Sequence, residues 1–196
     1  STFRARLTAA PNFAYELCAR RITRAQKESI DLTSLEFALN GAEPIRAATL
    51  HRFADAFSEC GFRRGAIVPV YGLAEATLFV SANKRVDPTP LPQTIAVSKR
   101  ALGEGTIGVP SALSDRVEVV AVGATSLDDH NVAVVDPITL TPNADGTVGE
   151  IIVVGPSVAS GYWKHSDDDH NTFVSLTPGE GGAVLRTGDL GFIQNG

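Results

Sequence analysis

The residue types best suited to chemistry lie together in Tyr71–Thr77, whose sequence is YGLAEAT. This stretch follows a short apolar run, residues 66–70, that is typical of a buried strand in a parallel sheet. Ligands of open α/β sheets bind at the carboxyl ends of the strands. There Tyr71 offers a flat face to a base, Gly72 lets backbone approach a ligand, and Glu75 offers hard oxygens to a cation. The stretch therefore indicates a corner that binds a nucleotide and a metal ion.

Each of these side chains also has a structural interpretation. Taken alone, Glu75 is more typical of a solvated or helix-capping carboxylate. A tyrosine at the end of a strand is more often packed at the rim of a core than stacked on a base. The local pattern does not decide between the two, so the nucleotide–metal corner stands as a hypothesis.

Two further stretches combine a turn with polar groups. In Asn40–Pro44, Gly41 and Ala42 could let main chain lie beside a flat ligand, although a plain structural turn is favoured for the motif in isolation. In Arg186–Leu190, Asp189 follows a glycine and can accept two hydroxyl hydrogen bonds, as recognition of a ribose requires. The alternative for Asp189 is an Asx-type turn.

Other candidate groups have weaker patterns. The acidic runs Asp128–His130 and Asp167–His170 favour solvated loops, because neighbouring residues on a loop rarely point at one ion. The two cysteines, Cys18 and Cys60, are far apart in the sequence. They are typical of reduced thiols that have no metal-binding or redox role in a reducing compartment. No Ser/His/Asp or Cys/His catalytic arrangement is recognisable.

Composition sets broad limits. The 196 residues are 43% apolar and 20% charged, which is typical of an ordinary globular protein. A net charge of −5 without a basic stripe argues against a nucleic-acid partner. No signal peptide or membrane-length apolar run is recognisable, so we expect a soluble, cytoplasmic protein without a membrane span. The complete lack of Met suggests a piece of a longer polypeptide.

The elements that must position these residues divide the chain into three parts. In residues 1–83, amphipathic helices at 12–23 and from Ala47 to Gly61 alternate with short strands at 35–39 and 66–70. This alternation predicts an α/β fold in which helices cover a parallel or mixed sheet. Residues 84–108 are rich in proline and glycine, which favours an irregular insertion or linker.

The last part, residues 109–196, is rich in β-branched residues. Short runs at 117–122, 132–135, 149–154 and 184–190 are separated by turn signals. They predict a small antiparallel sheet or barrel-like subdomain.

Together and in this order, the motifs resemble those of the adenylate-forming, or AMP-binding, superfamily of acyl- and aryl-activating ligases. Tyr71–Thr77 matches the Tyr-Gly-x-x-Glu motif of that superfamily. The segment from Gly149-Glu150 to Gly161-Tyr162-Trp163 resembles its Gly-Glu…Gly-Tyr-Trp motif, and Arg186–Leu190 its Thr-Gly-Asp motif. The sequence is similar to the fatty acyl-AMP ligases, a branch of that superfamily, at residues 10–15, 40–44 and 71–77. That branch carries an insertion after the Tyr-Gly-x-x-Glu motif, and residues 84–108 would match it.

The resemblance implies a role for each candidate residue. Tyr71 and the Gly41-Ala42-Glu43 backbone would sandwich adenine, and Asp189 would hold the ribose hydroxyls. Glu75 would ligate Mg²⁺ at the triphosphate of ATP, and Phe13 would line the acyl tunnel. The remaining nucleotide-binding positions implied by the core motif are Gly72, Leu73 and Ala74.

The implied reaction is activation of a fatty acid by ATP, in which acyl-AMP forms and pyrophosphate leaves. The acyl group would pass to an acyl carrier protein of a polyketide synthase or a related system. The phosphate loop of this family would lie upstream of Ser1 and its catalytic lysine downstream of Gly196, so we expect the 196 residues alone to be inactive. The alternatives are a fatty acyl-CoA synthetase and a non-catalytic nucleotide-binding module.

Overall fold

A computed structural model describes residues 3–82, 91–123, 126–127, 130–164, 171–174 and 184–194. The acidic residues Asp128, Asp129 and 167–170 lie outside the described residues, as do residues 84–90 of the expected insertion. The chain divides into two compact units. The first combines Ser1–Tyr71, Ala82–Ile95 and Glu118–Gly123, and the second combines Gly72–Ser81, Ala96–Val117 and Ala124–Gly196.

The first unit is built on parallel strands covered by helices. Its elements in chain order are β1 (Leu7–Pro11), α1 (Asn12–Arg21), α2 (Arg24–Lys27), β2 (Phe37–Gly41), α3 (Ala47–Ala56), β3 (Ile67–Tyr71) and β4 (Ser81–Ala82). The strands lie in the order β1-β2-β3-β4, and both β1–β2 and β2–β3 are parallel pairs. The predicted helix-covered parallel sheet is confirmed. Strand β1, which the sequence pattern did not predict, extends it.

An aromatic cluster forms the core of the first unit. The ring of Phe53 on α3 meets Tyr15 of α1 and Phe62 edge to face, with centroids 4.9 and 5.0 Å apart. The Tyr15 hydroxyl donates a hydrogen bond of 2.8 Å to the Leu39 carbonyl, and burial raises the pKa of this phenol. Helices α1 and α3 are thereby fastened to β2.

The start of α1 is held by hydrogen bonds to neighbouring elements. Pro11 is the N-cap and makes no side-chain capping bond. Asn12 is buried, and its Oδ1 accepts hydrogen bonds from Arg46 N at 3.2 Å and Asn40 Nδ2 at 3.4 Å. Asn12 therefore joins the starts of α1 and α3 to the end of β2 instead of capping its own helix. Gly61, with φ of +81°, closes a 3₁₀ turn that follows α3.

The expectation that residues 84–108 are irregular is wrong for the second half of that range. Strand β5 (Thr94–Ser98) leads into helix α4 (Lys99–Gly103), and β5 pairs with β6 (Arg116–Val120). The Ser98 hydroxyl accepts a hydrogen bond of 3.1 Å from Ala101 N and so caps α4. This serine cap offsets the poor helix propensity of the surrounding glycines.

An antiparallel sheet forms the second unit. Its strands are β7 (Ser126–Leu127), β8 (His130–Val135), β9 (Gly149–Val154), β10 (Phe173–Val174) and β11 (Val184–Gly191). They lie in the order β10-β11-β9-β8-β7, and each neighbouring pair is antiparallel. The predicted small antiparallel sheet is confirmed, with an open strand order. No helix in the described part of the chain is long and apolar enough to span a membrane.

Candidate functional site

A cavity of about 320 Å³ lies in the second unit. The residues that matter for its chemistry come from the turn after β3, from β9, from the segment after β9 and from β11. They are Glu75, Glu150, Tyr162, Arg186, Thr187 and Gly188. The cavity thus joins the Glu75 turn to the predicted Thr-Gly-Asp site.

The Glu75 turn is a tight loop that folds back on itself. Glu75 lies in a 3₁₀ turn, Ala74–Ala76, that is followed by Thr77 and Leu78 at φ of +53° and +78°. Two consecutive non-glycine residues in this conformation are uncommon and carry backbone strain. A Cβ on Gly72 would lie 1.6 Å from the Leu78 carbonyl oxygen. Only glycine at position 72 allows this return of the chain.

The segment from Ser157 to Tyr162 fastens the Glu75 turn at three points. The Tyr162 hydroxyl donates a hydrogen bond of 2.6 Å to Glu75 Oε1. The backbone N–H of Ala159 donates to the Glu75 carbonyl at 2.8 Å, and the Thr77 hydroxyl donates to the Ser157 carbonyl at 2.7 Å. The position of the Glu75 carboxylate is therefore set by residues more than 80 positions away in the sequence.

The predicted Thr-Gly-Asp site is a bulge in β11. Arg186 pairs with Ile152 and Leu190 with Glu150, so four residue steps on β11 oppose two on β9. Bulges of this kind often re-aim a side chain next to a functional site. The Thr187 hydroxyl donates to the Ile151 carbonyl at 2.7 Å and accepts from Asp189 N at 3.1 Å.

The same bulge depends on an ion pair between the buried Glu150 and the partly exposed Arg186. Arg186 Nε lies 3.0 Å from Glu150 Oε2 and its Nη2 lies 2.5 Å from the same oxygen. Glu150 Oε1 accepts a further bond of 3.2 Å from the N–H of Gly188, whose φ is +72°. Hydrogen bonding to Glu150 raises the pKa of Arg186 above its ordinary value. The Glu150 carboxylate is thus committed to holding the turn.

The Glu75 carboxylate fits a magnesium ion that is shared with a ligand. Glu75 supplies hard oxygens to the cavity, whereas Glu150 is occupied by Arg186. Across the described residues, no group of three or more His, Cys, Asp or Glu side chains could hold a metal ion. Mg²⁺ commonly takes one or two protein carboxylates together with substrate phosphates. The single carboxylate of Glu75 at this cavity matches that pattern.

The residues predicted to sandwich adenine and to line the acyl tunnel lie in the first unit. At the end of β2, a Cβ on Gly41 would lie 2.6 Å from Val70 Cγ2, so this glycine is required by strand packing. Ala42 has a φ of +63° and Glu43 Oε1 accepts a bond of 2.5 Å from the N–H of Phe13. Phe13 itself is exposed at the start of α1, and Tyr71 ends β3.

Three functional candidates were not predicted as individual residues. Glu150, Tyr162 and Arg186 belong to the recognised motifs, but no role was assigned to their side chains. Their contacts span 36 and 87 positions in the sequence, so no local pattern could have revealed them. The nearest signal is a polar residue inside an otherwise apolar strand run, as at Glu150.

The fold defines an α/β protein with a cavity at the Glu75 turn. Residues 2–163 match the family of AMP-binding enzymes, and the chain belongs to this family. The resemblance inferred from the motifs is thereby confirmed.

The chain is 40% identical over 199 residues to a medium-chain-fatty-acid–acyl-carrier-protein ligase of Moorena producens, covering 100% of this chain and 33% of the relative. It is 41% identical over 200 residues to a long-chain-fatty-acid–AMP ligase of Mycobacterium tuberculosis, covering 96% of this chain and 32% of the relative.

A solved structure of the fatty acyl-adenylate ligase of Legionella pneumophila, in complex with acyl adenylate and pyrophosphate, matches with a TM-score of 0.87 and 36% identity. The match covers 99% of this chain and 33% of that chain. The chain therefore spans about a third of the length of these relatives.

Proposed function

We propose that the protein containing this chain is a fatty acyl-AMP ligase, which activates a fatty acid with ATP and releases pyrophosphate. The observation that carries the proposal is that Glu75 and the Thr187–Gly188 turn of the β11 bulge line one cavity. In this proposal Glu75 supplies the metal-binding carboxylate, and Asp189, which follows Gly188, supplies the ribose-binding carboxylate for a nucleoside triphosphate. Relatives and a solved structure at 36–41% identity carry names of the same activity.

Each candidate residue has a role in this proposal. Glu75 holds Mg²⁺ and Asp189 accepts the ribose hydroxyls. Tyr71 and the Gly41–Glu43 backbone bind adenine, together with the motif positions Gly72, Leu73 and Ala74. Phe13 contributes to the acyl site. Bound Mg²⁺ would neutralise charge on the triphosphate, which lowers the barrier to attack on phosphorus.

The chemical step joins the fatty carboxylate to the α-phosphorus of ATP. A carboxylate oxygen forms the new O–P bond, and the bond between the α-phosphorus and pyrophosphate breaks, with the electron pair leaving on pyrophosphate. The residues of this chain would contribute by positioning: Glu75 would hold Mg²⁺ beside the triphosphate, and Asp189 would orient the nucleoside end. Catalysis of this kind needs no covalent bond to the protein.

In this proposal the acyl group of the adenylate goes to an acyl carrier protein. The support is that the Moorena producens and Teredinibacter turnerae relatives are both named as ligases of acyl carrier protein. A carrier that belongs to a polyketide synthase would provide the phosphopantetheine thiol that attacks the acyl carbonyl and releases AMP.

The full-length protein tests the proposal directly. It is incubated with a medium- or long-chain fatty acid, ATP and MgCl₂, and acyl-AMP is measured by mass spectrometry together with pyrophosphate release. Acyl-AMP that persists with coenzyme A but is consumed by a phosphopantetheinylated carrier protein supports the proposal. Formation of acyl-CoA favours an acyl-CoA synthetase, and the absence of any acyl-AMP overturns the assignment as a ligase.

A further inference from the structure

We propose that Tyr162 is a positioning residue that orients the Glu75 carboxylate toward its metal ion. The proposal rests on the proposed function, because it is that function which makes Glu75 a metal ligand. Tyr162 does not touch the nucleotide in this view. Its hydroxyl fixes which way the carboxylate points, so that one carboxylate oxygen is held by the protein and the group faces the cavity that both residues line.

The phenol ring is itself held in place. It packs edge to face on Phe173 of β10, with ring centroids 5.4 Å apart and an interplanar angle of 70°. Aromatic pairs prefer this geometry. The hydroxyl therefore approaches Glu75 Oε1 from a ring whose orientation is set by packing, and the bond of 2.6 Å is in the range of a charge-assisted hydrogen bond.

Orientation matters here because a glutamate side chain loses much rotamer freedom when it binds a metal. A hydrogen bond to the charged carboxylate confines those rotamers before the ion arrives. The backbone contacts Ala159–Glu75 and Thr77–Ser157 hold the turn independently of the phenol. Removing only the hydroxyl should therefore leave the turn in place and release the side chain within it.

The test compares two tyrosine-to-phenylalanine variants of the full-length protein. Tyr162→Phe keeps the ring on Phe173 and deletes the bond to Glu75. Tyr15→Phe deletes a bond of similar kind, 2.8 Å to the Leu39 carbonyl, in the core of the first unit. Calorimetric titration with MgCl₂ in the presence of α,β-methylene-ATP gives the magnesium affinity without turnover. Acyl-AMP formation against MgCl₂ concentration provides the parallel activity measurement.

Tyr162→Phe should weaken magnesium binding about fivefold, in line with the loss of one partly exposed hydrogen bond to a charged group. The magnesium concentration for half-maximal activity should rise by a similar factor, and both effects should vanish when the variant is made on Glu75→Gln. Tyr15→Phe should lower thermal stability and leave the magnesium dependence unchanged.

Unchanged magnesium affinity in Tyr162→Phe overturns the positioning role, even where the wild-type protein makes acyl-AMP. Conversely, a wild-type protein that binds the magnesium nucleotide but forms no acyl-AMP overturns the proposed function, and the titration still decides the role of Tyr162. A wild-type protein that binds no magnesium nucleotide overturns both.

Discussion

Arg186 and Glu150 form a partly buried ion pair that also fixes the turn leading to Asp189. Glu150 has a side chain only 6% exposed, and it accepts hydrogen bonds from both the Arg186 guanidinium and the N–H of Gly188. A carboxylate loses its hydration when it is buried, so the contribution of Glu150 to the stability of the fold depends on these hydrogen-bond partners. The pair therefore couples the stability of β9 and β11 to the geometry of the proposed ribose site.

Replacing Arg186 tests that coupling. Arg186→Met should destabilise the full-length protein by about 3 kcal/mol, because it leaves an uncompensated carboxylate in the interior. Arg6→Gln is the matched control. It breaks an ion pair with Glu36 whose arginine is 74% exposed, and its destabilisation should be much smaller than that of Arg186→Met. Urea-induced unfolding measures both; similar losses in the two variants would contradict a special role for the Arg186–Glu150 pair.

Replacement by alanine should destabilise the protein to different extents at two glycines near the cavity. Gly188→Ala meets no atom within 4 Å, so only its φ of +72° is unfavourable and the loss should be about 1 kcal/mol. Gly72→Ala places a methyl group 1.6 Å from the Leu78 carbonyl and must move the Glu75 turn, which should cost more than about 3 kcal/mol. Gly105→Ala, with φ of +78° and open space, is the control for Gly188→Ala. Thermal unfolding of the three variants ranks these losses, and a mild effect at Gly72 would contradict the tight return.

Glu75 is expected to be essential for adenylation and dispensable for folding. Glu75→Ala should abolish acyl-AMP formation by the full-length protein, because the metal loses its protein carboxylate. The circular dichroism spectrum should be unchanged. Glu59→Ala removes an exposed carboxylate from the 3₁₀ turn after α3 and should leave activity unaltered. Retained adenylation by Glu75→Ala would remove its metal role.

Asp189 should instead control recognition of the ribose. Asp189→Asn keeps one acceptor oxygen but loses the charge, and should raise the KM for ATP about tenfold. The sharper measurement is discrimination between ATP and 2′-deoxy-ATP, expressed as a ratio of kcat/KM values. That ratio should fall in Asp189→Asn, and an unchanged ratio would show that Asp189 does not contact the ribose 2′-hydroxyl.

Features that carry a local sequence pattern were predicted, whereas features that depend on contacts with distant residues were missed. The bounds of β9, Gly149–Val154, were predicted from its apolar run, because a buried strand carries its own pattern. Strand β1, Leu7–Pro11, was missed because LTAAP has little β propensity and forms a strand through parallel pairing with β2. Proline and glycine density concealed β5 and α4, although the Ser98 cap was a usable signal.

The candidate site shows the same limit. The motif residues Glu75 and Asp189 were predicted because they lie in short, recognisable stretches. Tyr162 contacts Glu75 across 87 positions, and Glu150 holds the turn before Asp189 through contacts across 36 to 38 positions. Such contacts depend on strand order and register, which a local pattern does not specify. Sequence therefore indicated the residues that we propose bind a ligand, but not their hydrogen-bond partners.

Asp115 provides a test of the second unit that does not involve the ligand site. Its carboxylate accepts hydrogen bonds first from Arg100 N, and also from Ser98 and Ser111, and these lower its pKa from 3.8 to about 2. A lowered pKa in the folded state means that the stabilisation is complete above the unfolded value and is lost as the pH falls toward about 2. Asp115→Asn should therefore be less stable than the wild-type protein at pH 6, and the difference should shrink between pH 4 and pH 2. Thermal unfolding of both proteins across that range measures the difference, and a gap that stays constant or widens on acidification would show that the Asp115 carboxylate is not stabilised by these donors.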